Sequence, residues 1–73
     1  MTKNRIPTLR QQHVLATLTR LRDKLGYPPT IRELARVLGI SPAGVVGHLK
    51  TLERLGAIRR EEGTARGIQI LEG

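Results

Sequence analysis

Ser41, Ala43, Gly44, Val46 and Gly47, followed by Lys50 and Arg54, are the residues whose types and spacing suit a definite chemistry. At ~100° per residue, Ala43, Gly47, Lys50 and Arg54 fall on one side of a helix, with Val46 at its margin. Small apolar groups come first and cations last. That order suits a nucleic-acid duplex, where Ala43 and Val46 can pack on thymine methyls while Lys50 and Arg54 meet phosphates. The Ser41 hydroxyl can donate to a base or phosphate, and it can equally cap the helix that follows it. Gly44 and Gly47 each cost ~1 kcal/mol inside a helix relative to Ala. Two reasons for them stand side by side: close approach of the backbone to a groove, or relief of crowding against another helix.

The overall charge agrees with such a partner. Thirteen Lys and Arg against six Asp and Glu leave +7 on 73 residues, an imbalance that favours polyanions. Arg32 and Arg36 stand one helical turn apart, and Arg59, Arg60 and Arg66 fall in the C-terminal part. Arg66 is expected at the tip of a turn, where it can enter a minor groove or hold a phosphate. Lys3, Arg5 and Arg10 lie at or before the first helix, where exposed N–H groups also suit phosphate. Arg20, Arg22 and Lys24, near Asp23, read as an ordinary solvated face.

Other chemistries lack their groups. His13 and His48 are the two histidines, there is no cysteine, and they fall on different helices, so no metal site is expected. The lone serine has no general base nearby, which argues against a hydrolase. No catalytic site, cofactor or small-molecule ligand is predicted. No apolar run approaches the ~20 residues of a membrane span. The basic start is followed by Pro7 rather than an apolar signal core, so a cytoplasmic location is expected.

The elements that must position these residues can be read from caps and periodicity. Thr8 and Gln11 fit a capping box, and Val14, Leu15, Leu18, Leu21 and Leu25 recur at helical spacing behind it. Gly26 closes that helix, and Tyr27-Pro28-Pro29 makes an extended link. Thr30 and Glu33 form a second box before Ile31, Leu34, Ala35 and Leu38. Ser41-Pro42 opens a third helix, whose core face is Val45, Leu49 and Leu52. Ala35, Gly39 and Val45 supply the small crossing residue, the positive-φ turn and the apolar contact of a helix-turn-helix. After Gly56, two strand-like stretches flank the polar turn at residues 61–66. The expectation is one domain over residues 1–73, α+β but mainly α. It is a winged helix-turn-helix with helices at about 9–25, 31–38 and 42–55 and a β-hairpin wing at about 57–71. The core must be aliphatic, since Phe and Trp are absent.

Several segments together resemble a known family. Residues 8–12, 26–35, 38–40, 48–53 and 65–68 are similar, in the same order, to the N-terminal DNA-binding domain of the LexA repressors of the SOS response. The resemblance covers roughly residues 8–71. It implies a third helix docked in the major groove and repression at palindromic operators. It also implies base contacts from Ser41, Ala43, Gly44, Val46 and Gly47, supported by Lys50 and the wing residue Arg66. The turn before the third helix is one residue shorter than is usual in the family. Ala43, Gly44 and Val46 stand where relatives often carry Asn, Glu or His. The family's C-terminal half holds a self-cleaving peptidase and the main dimer interface. The sequence given stops at Gly73, so a piece of a longer repressor and a small regulator without self-cleavage are both open.

The resulting expectation is a sequence-specific double-stranded DNA binder acting as a transcriptional repressor in a bacterial or phage cytoplasm, on the nucleoid when bound. Two copies are expected to pair weakly on an inverted repeat. The DNA-contacting set is Ser41, Ala43, Gly44, Val46, Gly47, Lys50, Arg54, Arg32, Arg36 and Arg66. The alternatives are a winged-helix protein-interaction module using the apolar, glycine-containing face, and non-specific DNA coating.

Overall fold

The computed structural model describes residues 8–61, 63–64 and 66–71. The chain runs α1 (Leu9–Leu25), α2 (Ile31–Leu38), α3 (Pro42–Arg54), β1 (Ile58–Arg60) and β2 (Ile68–Ile70). Each helix starts where a side chain can take up its free amides. The Thr8 hydroxyl accepts from the Gln11 N–H while the Gln11 side chain accepts from the Thr8 N–H, and Thr30 and Glu33 repeat the exchange at α2. At α3 the Ser41 hydroxyl accepts from the Gly44 N–H at 3.1 Å, and Pro42 occupies the first turn, where its missing donor costs nothing.

Two glycines decide how the chain leaves its helices. Gly39 ends α2 at φ 72°, a left-handed conformation that reverses the chain into Ser41 within two residues. Gly56 takes φ 83° after α3. Its N–H donates to the Glu53 carbonyl at 3.0 Å and the Ala57 N–H to the Leu52 carbonyl at 2.9 Å, which closes the helix and aims the chain into β1.

The three helices and the hairpin meet on one aliphatic core. Val14 and Leu18 come from α1, Leu34 and Ala35 from α2, Val45, Leu49 and Leu52 from α3, and Ile58 and Ile68 from the two strands. Ala35, the small residue a helix-turn-helix needs where its helices cross, is buried in this core. On α1 the buried stripe includes Thr17 beside Val14 and Leu18, with Leu15 and Leu21 only partly covered.

The hairpin is antiparallel, with Ile58 opposite Ile70, Arg59 opposite Gln69 and Arg60 opposite Ile68. Side chains alternate across a strand, so Ile58 and Ile68 face the core while Arg59 and Gln69 face out. Pairing continues past the strands: the Glu61 N–H donates to the Gly67 carbonyl at 2.8 Å and the Leu71 N–H to the Ala57 carbonyl at 2.9 Å. The bonded hairpin therefore spans the expected 57–71, although its regular strands are shorter. Gly67 closes the turn because a side chain there would strike the Glu61 carbonyl and the Thr64 hydroxyl. The third helix ends at Arg54, one residue before the expected 55, as Leu55 already belongs to its cap. No described helix is long and apolar enough to cross a membrane.

Candidate nucleic-acid interface

The outward face of α3 is set by what its inward face buries. Val45, Leu49 and Leu52 are wholly buried, which leaves Ala43, Gly47, Lys50 and Arg54 exposed and Val46 half-buried at the margin. The first turns of this face carry almost no side-chain bulk, and the later turns carry two cations. The amino end of α3 adds the positive end of the helix dipole to the same surface. One hydroxyl at that end, Ser41, accepts from the Gly44 amide, which leaves its O–H to donate.

The two glycines of α3 have no crowding to relieve. A methyl group built on Gly47 meets nothing within 4 Å. On Gly44 it would stand 3.4 Å from the Ser41 hydroxyl and 3.6 Å from Ile40, ordinary contact distances. Of the two reasons open from the sequence, packing against another helix is removed for Gly47, and the space in front of it is free for a partner.

Arg32 and Arg36 are exposed on α2, the helix that packs most extensively on α3. Arg10 is exposed in the first turn of α1. Lys3 and Arg5 lie outside the described residues. Arg59 is exposed and Arg60 half-buried on the hairpin. With Arg22 and Arg66 these two line an open groove of about 600 Å³ between the end of α1 and the wing. That basic concavity includes no residue of α3, so the cations fall into two groups.

Arg66 is not at the tip of the turn. It directly precedes Gly67, where pairing of the hairpin resumes, and its side chain runs back towards the helices. Its Nη1 donates to the Pro28 carbonyl at 2.9 Å and to Glu33 Oε1 at 3.0 Å, and its Nη2 to Glu33 Oε2 at 3.0 Å. The guanidinium also lies over the Tyr27 ring, 4.5 Å from the centroid. The bonds from Arg66, and then the Thr30 amide, hold the Glu33 carboxyl below its ordinary range. Glu33 and Tyr27 were not singled out from the sequence. Glu33 already had a local reason, the cap of α2, and nothing in the spacing links it to a residue 33 positions away.

Residues 6–67 match the family model of the LexA DNA-binding domain. The chain is 52% identical over 64 residues to the LexA repressor of Citrifermentans bemidjiense, a match covering 86% of this chain and 32% of the relative. It is 51% identical over 63 residues to LexA repressor 1 of Geobacter sulfurreducens, covering 85% and 31%. The LexA repressor of Thermotoga maritima is 43% identical over 63 residues, covering 86% and 32%. The chain thus spans about a third of the length of the curated relatives it matches.

Proposed function

This chain belongs to the LexA DNA-binding domain family, and on that premise we propose that it binds double-stranded DNA sequence-specifically as a transcriptional repressor. The observation that carries the reading is the outer face of α3: bare backbone at Gly47 with open space before it, and Lys50 and Arg54 one and two turns later. An α-helix fits the major groove, its first turns meet base edges and its later turns meet the backbone. Ala43, Gly44, Val46 and Gly47 face the bases. Lys50 and Arg54 hold phosphates, and Arg32 and Arg36 hold the backbone beside the groove. Ser41 fixes the start of the reading helix as its cap. The chain performs no chemical step on the DNA.

Readout by methyl groups and backbone contact, without amide or carboxylate side chains, favours thymine-containing steps over guanine. One such module has a small interface, roughly 600–1,000 Å², so two copies on an inverted repeat raise affinity and fix half-site spacing. The site of action is the cytoplasm, on the nucleoid.

The test is selection from a random duplex pool at near-physiological salt, followed by sequencing. An enriched inverted repeat is expected; retention without a motif, or no retention, overturns base readout. With one phosphate on each of Lys50, Arg54, Arg32 and Arg36, log K should fall with log salt at a slope of about −3.6 per copy. A flat response refutes DNA binding altogether.

One observation favours a second reading, an interaction module for transcription or replication proteins. Val37 and Ile40 are exposed at 49% and 39%, beside the start of α3. On that reading Val37→Glu, off the outer face of α3, should do more damage than neutralising Lys50 and Arg54 together; the DNA reading requires the reverse.

A further inference from the structure

Resting on the DNA-binding reading, we infer that Arg66 is a positioning residue, which with Glu33 rivets the wing to the start of α2 and so sets where the wing meets the duplex. Two strands of three residues do not hold an orientation by themselves. Ile58 and Ile68 anchor one face of the hairpin in the core, which fixes its depth but leaves it a pivot. Arg66 supplies a second point of attachment. Its planar fork meets both oxygens of Glu33 at 3.0 Å, and the Pro28 carbonyl accepts from the same Nη1 at 2.9 Å. Two-point arginine–carboxylate bonding fixes direction as well as distance. The plane of the fork is backed by Tyr27, the sole aromatic side chain in the sequence.

Glu33 is itself immobilised, because its Oε1 also accepts the Thr30 N–H at 2.9 Å in the cap of α2. One carboxylate therefore serves the first helix of the helix-turn-helix and the wing together. A direct phosphate contact fits this geometry poorly. The charge of Arg66 is matched by Glu33 in place, and Nη1 has both its protons engaged.

The experiment compares Arg66→Ala, Glu33→Gln and the double variant with the unaltered chain. Fluorescence anisotropy on the selected duplex is measured across a salt series, with circular dichroism melting as the folding control. Glu33→Gln keeps an acceptor for the Thr30 amide, so the cap of α2 survives. Each single change should weaken binding to the selected site about tenfold, roughly a 1.4 kcal/mol effect. The double variant should be no worse than either single, the mark of two groups acting through one contact. The salt slope should stay where it was, and Arg66→Lys should not rescue, since an ammonium cannot bridge both oxygens in one plane. Backbone amides of the hairpin should exchange faster in Glu33→Gln than in the parent.

The inference is overturned if Glu33→Gln binds as well or more tightly while Arg66→Ala lowers the salt slope by ~0.9, the signature of one lost phosphate contact. A parent chain that enriches no DNA motif refutes the functional reading instead. The rivet is then judged on hairpin exchange alone, where unchanged protection in Glu33→Gln overturns it.

Discussion

Alanine at position 47 should move stability and DNA affinity in opposite directions. Gly47 lies inside α3, more than a turn from either end, and a methyl group there meets nothing within 4 Å beyond its chain neighbours and its own helix backbone. Nothing in the folded chain opposes the change. Alanine restricts the unfolded backbone more than glycine does, so the helix gains ~1 kcal/mol. For a domain of this size that is roughly 4–8 °C in melting temperature. On DNA the same methyl group occupies the space that a base edge should fill. The helix must ride higher in the groove, and contacts from Ala43 and Val46 lengthen together. A loss of about tenfold, ~1.4 kcal/mol, is expected on the selected duplex. On an unrelated duplex the affinity should hold, because no charge has changed and non-specific binding is set by phosphates. Circular dichroism melting and anisotropy titrations on both duplexes read the two effects. Because the variant is the more stable protein, unfolding cannot account for weaker binding. Unchanged affinity for the selected site would refute close approach at this turn, and a lower melting temperature would refute the open space itself.

Other outcomes follow from the same surfaces. Lys50→Ala should weaken specific and non-specific binding alike and lower the salt slope by ~0.9, checked by titration at several salt concentrations. Ser41→Ala should cost ~1 kcal/mol of stability by freeing the Gly44 amide, visible as a lower melting temperature. The Glu33 carboxyl is held low by Arg66 and Thr30, so its contribution is fully present above the ordinary glutamate value of about 4.3. It disappears as the pH falls through the lowered one. Denaturation followed against pH should show a shallower acid limb in Glu33→Gln than in the parent.

What the sequence made legible was local. Thr8 with Gln11, Thr30 with Glu33 and Ser41 with Gly44 are contacts over three residues, and residue types at that spacing nearly dictate the bond. The face of α3 was legible for a related reason: Val45, Leu49 and Leu52 share one side, so the opposite residues must be presented. Thr17 escaped the reading because a hydroxyl interrupts the apolar pattern, yet its position on α1 places it between the same turns as Val14 and Leu18. Arg66 was misplaced because a turn rich in polar residues says where the chain reverses, not where a long side chain goes. Its partners Pro28 and Glu33 are 38 and 33 residues away, beyond any local pattern. The open space before Gly47 is likewise a property of its neighbours in three dimensions, since spacing alone leaves crowding and approach equally good.

Tyr27 is the one aromatic residue, and it stands outside the core, stacked under the Arg66 guanidinium. The protein therefore carries a single near-ultraviolet chromophore, and it sits on the seam between wing and helices. Its emission and near-ultraviolet dichroism are blind to repacking of the aliphatic interior, while departure of the cation from the ring face changes both. Seating of the wing can thus be followed in the free chain without a label.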